Sequence, residues 1–284
     1  MALKKANQQT SDIEKVVEEI ESGEIRSLNE DVEVSEDGYV HDAPLLAGYL
    51  DPETGQRHMT FTYREMTGKD EEAINKAEVR ANGGKLINVL LERCVKSIGT
   101  LTKKELGTKK WADLIRSLYG GDLDYMAMKI RELSKGKEIE FTHKCPKCGT
   151  KLTTYVDTDE FEVTPFSGAD TVDFELPKGY RDKKGVIHKT GTVRMVNGLD
   201  REIVVPQFKK NSAVATTLLL TRLIKFDDGT FVTNDMVSDM SVRDREYLEK
   251  IIKECTFGID TSIELTCDNC GAEISGEAGA SNFL

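Results

Sequence analysis

Two short cysteine motifs constrain this chain more than any other feature: Cys145-Pro146-Lys147-Cys148-Gly149 and Cys267-Asp268-Asn269-Cys270-Gly271. Two residues between thiols let both sulfurs face one point, and the following glycine permits the tight turn around it. Two such knuckles supply the four soft ligands that tetrahedral Zn²⁺ prefers. In a local zinc ribbon the pairs lie roughly 15–20 residues apart. Here Cys145 and Cys267 are 122 positions apart. One Zn²⁺ shared by Cys145, Cys148, Cys267 and Cys270 would clamp the middle of the chain to its far end. Three other readings stay open: two separate sites each completed by another chain, disulfides, and a metal-free remnant. A redox pair is disfavoured because no thioredoxin-like βαβ pattern surrounds either motif. His143 could substitute as a ligand but reads first as a strand residue. Cys94 and Cys255 lie on apolar helical faces and read as core.

The 284 residues carry a formal net charge of −11, unevenly distributed. Residues 1–45 hold 12 acidic and 4 basic side chains, while the remainder holds 38 and 35. A near-neutral body offers no basic face for phosphate neutralisation, which counts against nucleic-acid binding. The acidic arm reads as a solvated leader or as a segment that folds on a partner. Ser11 and Glu14 form a capping box, and Ile13, Val16, Val17 and Ile20 form one stripe, predicting a helix over 11–22. No apolar run approaches the roughly 18 residues of a membrane span, and the start lacks the apolar core of a signal peptide. A cytosolic origin, with reduced thiols available to metal, is expected.

The chain also reads twice. Arg64, Gly68, Asp70 and Glu72 match Arg194, Gly198, Asp200 and Glu202 at a shift of 130. Leu90-Leu91-Glu92-Arg93 matches Leu219-Leu220-Thr221-Arg222. A helix through Ile87, Leu90, Leu91, Cys94, Val95 and Ile98 has the spacing of one buried face. Asp122-x-x-Tyr125 matches Asp244-x-x-Tyr247 at a shift of 122, the same as the knuckles. Gly136 and Gly258 follow, then strand-like runs at 139–142 and 262–266. Each unit opens on a hairpin, near 45–62 in the first, with a turn at 51–55. In the second, Pro177-Lys178-Gly179-Tyr180 and Lys183-Lys184-Gly185 signal turns. The expected fold is α+β: two pseudo-repeated units, 45–157 and 158–284, joined by a shared four-cysteine, zinc-ribbon-like site and preceded by an acidic arm, 1–44.

Catalytic patterns are missing. There is no phosphate-binding glycine loop, no His-Glu-x-x-His and no Gly-x-Ser-x-Gly. Most of the abundant carboxylates are expected to be solvated. A zinc held by four cysteines keeps no open position to activate water, so the chain is expected not to be an enzyme.

The ordered series Thr67-Gly-Lys-Asp-Glu, Leu90-Leu-Glu-Arg-Cys94, Gly121-Asp-x-x-Tyr125, Ile130-Arg-Glu-Leu133, Cys145-Pro-x-Cys148, Val156-Asp157, Phe174-Glu-Leu-Pro177 and Asn282-Phe-Leu284 resembles the baseplate hub subunit and tail-assembly family of contractile-tailed bacteriophages. The second unit departs from it with Met240-Ser-Val-Arg-Asp244 before its tyrosine helix. The resemblance implies a non-enzymatic virion component of the tail baseplate, assembled in the host cytoplasm within a symmetric multi-protein structure. Implied partners are the hub, the tail tube or tape measure, and the baseplate wedge, with no nucleic acid and no membrane. A tail-assembly chaperone and a zinc-ribbon nucleic-acid-binding protein are the alternatives.

Overall fold

The computed structural model describes residues 33–35 and 38–277; the helix expected over 11–22 and the Asn282-Phe283-Leu284 terminus lie outside them. The chain divides into two units, Met1–Asp42 and Ala43–Leu284. In the first, β1 (Glu33–Ser35) pairs antiparallel with the start of β2 (Gly38–Leu50).

In the second unit β2 turns at Asp51 into β3 (Arg57–Tyr63). Three helices follow: α1 (Gly68–Ile74), α2 (Ala77–Arg80) and α3 (Gly83–Cys94). The chain then returns along β3 as β4 (Val95–Ile98), pairs it with β5 (Leu101–Thr102), and enters α4 (Lys103–Ser117) and α5 (Gly120–Lys135). A hairpin of β6 (Glu138–Lys144) and β7 (Lys151–Asp157) follows, then the short β8 (Val163–Thr164). β9 (Thr171–Arg181) and β10 (Ile187–Arg194) lead to α6 (Gly198–Phe208), α7 (Ser212–Leu223) and β11 (Ile224–Phe226), which pairs with β10. Next come α8 (Asn234–Asp239) and α9 (Val242–Glu254). The described chain ends with β12 (Gly258–Ile259), which pairs with β8, and the hairpin of β13 (Ser262–Thr266) and β14 (Glu273–Glu277).

One apolar core gathers Phe61, Leu90, Leu91, Trp111 and Ile115; another gathers Phe174, Leu176, Leu220, Phe226 and Leu248. A small third cluster, Met128, Ile139, Phe141 and Ile263, lies between the two late hairpins.

Most carboxylates are expected to be solvated; among the described residues Asp70, Asp122, Asp200 and Asp244 are fully buried exceptions. Asp70 stands in the first turn of α1, where its carboxylate accepts from the Thr67 backbone and completes a capping box. It also accepts from Arg64 at 2.6 Å and Arg93 at 2.7 Å. Asp200 does the same in α6, capping Asn197 and taking Arg194 at 2.6 Å and Arg222 at 2.7 Å. Each aspartate therefore ties the end of a strand to the start of one helix and the end of another. Burial pushes both carboxyls up, but the arginine hydrogen bonds and charges outweigh it and hold them well below the usual range.

Asp122 and Asp244 fasten a first-turn position of α5 and α9 to the opening strand of a hairpin. Asp122 accepts from the backbone N–H groups of Leu46, Ala47 and Gly48, and Asp244 from that of Lys178. At both places a glycine takes a left-handed backbone, φ 79° at Gly48 and 80° at Gly179. A Cβ there would sit 2.6 Å from the His58 carbonyl oxygen and 3.2 Å from that of His188, respectively. The following tyrosines, Tyr49 and Tyr180, stack on those same histidines, with ring centroids 6.2 and 6.1 Å apart.

Two local expectations are corrected. Pro177-Lys178-Gly179-Tyr180 is no turn between strands but lies inside β9; the Asp244 carboxylate and a register shift in the facing β10 absorb the irregularity. The helix expected to run to Ile98 stops at Cys94. Val95 and Ile98 instead pair with Tyr63 and Phe61 in the sheet, where their branched side chains both join the first core.

Polar side chains join the two cores. Asn88 donates to the Gly198 carbonyl and to Glu202, Arg116 pairs with Glu202, and Arg201 grips Asp124 with two bonds of 2.6 and 2.8 Å. Asp170 accepts from Arg57 at 2.5 Å and from the Tyr119 hydroxyl at 2.8 Å.

Removing either buried acid strands two guanidinium groups. Asp70→Ala and Asp200→Ala should each lower stability by about 3 kcal/mol in urea unfolding, and a loss under about 1 kcal/mol would contradict the arrangement. Because both folded-state pKa values are depressed, this stability is present above the unfolded carboxylate pKa. It should be lost as pH falls below about 4.

Candidate metal centre

Each knuckle is the turn of an antiparallel hairpin. The β6–β7 ladder runs from Glu138↔Asp157 to Lys144↔Lys151 and leaves 145–150 as its loop. The β13–β14 ladder runs from Ser262↔Glu277 to Thr266↔Glu273 and leaves 267–272. The loops share their backbone bonds. Cys145 N–H donates to Thr150 O at 2.9 Å and Cys267 N–H to Ala272 O at 2.8 Å. Gly149 N–H reaches Cys145 O at 2.9 Å and Gly271 N–H reaches Cys267 O at 2.8 Å. Gly149 (φ 74°) and Gly271 (φ 66°) supply the left-handed turn that closes each loop.

The structure brings together all four cysteines predicted to form a site. Their sulfurs lie within 4.8 Å of one another, with Cys145–Cys270 and Cys148–Cys267 each at 3.7 Å. All are free thiols. The spacing exceeds a disulfide's roughly 2.05 Å by far. Zinc–sulfur bonds of about 2.3 Å set tetrahedral S···S edges of about 3.8 Å, so the four sulfurs are spaced to hold such an ion. Among the described residues no other group of three or more His, Cys, Asp or Glu side chains converges in this way. Cys145 and Cys267 are buried, Cys270 is half-buried and Cys148 is exposed.

The electrostatics favour a cation. Hydrogen bonds from the Thr150 hydroxyl and backbone bring the Cys148 thiol down to about 5, and the Cys148 backbone N–H lowers Cys145. Against a hydrogen bond from the Ala272 backbone, desolvation and the neighbouring sulfurs push Cys270 up to about 12. Without a positive ion the Cys270 thiol thus resists ionising beside its neighbours, and a divalent metal would remove that resistance. Cys94 and Cys255 stay outside the cluster. Desolvation pushes the Cys94 thiol up to about 11 and raises that of Cys255, which suits packing rather than ligation.

Sequence reasoning missed the cross-brace between loops. Asn269 Nδ2 donates to Thr150 Oγ1 at 3.1 Å, and the Cys148 sulfur lies 3.1 Å from the same hydroxyl. Both are polar residues inside or next to a knuckle, the one signal that marked them.

A profile of the family described as T4 bacteriophage base plate protein matches residues 51–275, a span that contains both knuckles. The chain belongs to this family. Neither the comparison with curated proteins nor that with solved structures gives a significant match. Membership places the chain among phage baseplate proteins, structural components of the tail that associate with other tail proteins. Among the described residues no helix is long and apolar enough to cross a membrane.

The knuckle glycines provide a local check. Gly149→Ala and Gly271→Ala force an L-residue into the left-handed region, at a cost of about 1–2 kcal/mol each. Thermal unfolding should register both losses, and a neutral result at either position would contradict the turn geometry.

Proposed function

We propose that this chain is a non-enzymatic structural component of the baseplate hub region, built from two copies of one unit and made rigid by a single Zn²⁺ on Cys145, Cys148, Cys267 and Cys270. The observation that carries the proposal is the convergence of two hairpin loops 122 residues apart onto one cluster of four sulfurs. A tetrahedral ion with four cysteine ligands has no free coordination position, so its contribution is mechanical.

Paired geometry supports the duplication. Arg64, Asp70 and Arg93 stand as Arg194, Asp200 and Arg222 do; Asp122 stands as Asp244; Tyr49 on His58 stands as Tyr180 on His188. The fall of the shift from 130 to 122 has a structural source. Thr102 and Thr233 cap α4 and α8 alike, 131 apart, but α4 has 15 residues and α8 has 6. The nine extra residues, 109–117, bring the following helices to a shift of 122. On this reading residues 1–44 are an acidic arm, 45–157 the first unit and 158–284 the second. The arm contacts neighbouring hub, tube, tape-measure or wedge proteins during assembly in the host cytoplasm.

Two measurements test it. Elemental analysis of the purified protein should find one zinc per chain, and Cys148→Ser and Cys270→Ser should each abolish stoichiometric binding and lower the melting temperature. A Cys270→Ser protein with full zinc and unchanged melting would exclude the shared site. Quantitative mass spectrometry of purified phage particles should find a small fixed copy number. Its absence from complete particles would make it an assembly chaperone instead.

A further inference from the structure

We propose that an open groove beside β11 is a docking slot for residues 11–22 of a neighbouring copy of this chain. The proposal rests on the reading of the chain as an assembly component and adds a contact to it. The groove measures about 610 Å³ and lies between α7, β11 and the loop before α8. Leu218, Phe231 and Val232 form its apolar part, and Arg194, Arg222 and Lys225 its charged part; no carboxylate lines it. Phe231 is 84 % exposed, the most exposed large apolar side chain among the described residues. Arg194 and Arg222 share the single carboxylate of Asp200, so one guanidinium charge is left over beside Lys225. Asp228 on the adjoining loop is engaged with His188. The groove's own lining is thus cationic, with Asp227 and Asp228 on the loop beside it, on a chain whose net charge is −11.

The corresponding face in the first half is covered. There α3 takes the place of α7, and the Glu92 carbonyl accepts from Trp111 Nε1 at 3.3 Å while the Glu92 carboxylate pairs with Arg116 at 2.9 Å. Trp111 is fully buried. Trp111 and Arg116 belong to the stretch of α4 that α8 lacks. Glu92 corresponds to Thr221, which opens into the groove. The half that is closed is therefore closed by an amphipathic helical stretch, and the other half has none of its own.

Residues 11–22 have the matching chemistry. At helical spacing Ile13, Val16, Val17 and Ile20 would share one face, and five acids against one lysine complement the groove's cations. A helix this short needs a docking surface to be stable. Each copy carries one slot and one insert, the condition for a heterologous, head-to-tail contact, which makes a ring where the rotation closes and a filament where it does not.

The test uses the full-length chain with Phe231→p-benzoylphenylalanine, in a mixture of light and heavy isotope-labelled copies. Irradiation should join position 231 to a peptide containing residues 11–22, with light and heavy copies linked to each other. Phe231→Asp and Val16→Asp should each weaken self-association in sedimentation by about tenfold or more, and the double variant should be no worse than either alone. Cross-links within single copies only, or to other regions of the chain, would overturn the proposal, as would unchanged self-association. A cross-link in particles to a different tail protein would overturn it while the tail-component reading stood. The expected cross-link in a protein missing from particles would do the reverse.

Discussion

Buried aspartates at helix starts hold this fold together. A carboxylate without solvent costs several kcal/mol unless its oxygens are filled, and here each is filled by groups from different elements. Asp70 takes a capping backbone N–H, a strand-end arginine and a helix-end arginine; Asp200 repeats the set. Each also sits where the helix dipole favours negative charge. Asp122 has three backbone N–H groups, and there burial outweighs them and the nearby Arg57 charge: its carboxyl is raised rather than lowered. The same residue type therefore serves two purposes. One pair fixes strand to helix through charge, and the other anchors an irregular strand whose amides would lack partners.

These anchors explain which parts of the chain were legible. Arg64 with Asp70 and Arg194 with Asp200 stood out because the partners are six residues apart and the pattern recurs. The third member, Arg93 or Arg222, arrives from a distant helix end, and spacing alone assigns it no partner. The four cysteines were legible because soft-ligand chemistry tolerates few alternatives at that spacing. Their convergence depends on two hairpins that pattern could place but not orient. The end of α3 was misplaced because Val95 and Ile98 continue the helical period by chance. Only pairing with β3 shows that the chain has already become a strand. Helix α4 escaped notice because Gly107, at φ 74° and ψ 165°, breaks it in two, and its lysine-rich first turns carry no clear stripe.

The differences between the halves matter as much as their likeness. Residues 109–117 give the first core its only tryptophan, seated on the α3 face, while the shorter α8 leaves the equivalent face open beside an exposed phenylalanine. Trp111 adds a large buried surface to the first core. On the proposed duplication, the half without this covering element keeps an open slot and the same buried Arg–Asp–Arg interactions. The Arg–Asp–Arg set beneath that slot is intact, so the floor stays rigid while the roof is missing.

The late hairpins show why a cluster of sulfurs stands where it does. An isolated two-stranded hairpin is marginal in water, and β6–β7 and β13–β14 are each two-stranded. Among the described residues the cluster beneath them has four buried apolar side chains, Met128, Ile139, Phe141 and Ile263, with Val156, Phe161, Ile259 and Leu265 partly buried against it. Burying such side chains contributes about 1.5–3 kcal/mol each before the entropy of ordering both hairpins is charged against it. That margin is thin for the region that ties the middle of the chain to its end. An ion bound by four thiolates would add a contribution that does not depend on core size, because it forms only when both loops are folded and facing each other. The Asn269–Thr150 hydrogen bond holds them in that relation at the surface. The tetrad thus sits where two hairpins with a small shared core leave packing alone little able to fix their geometry.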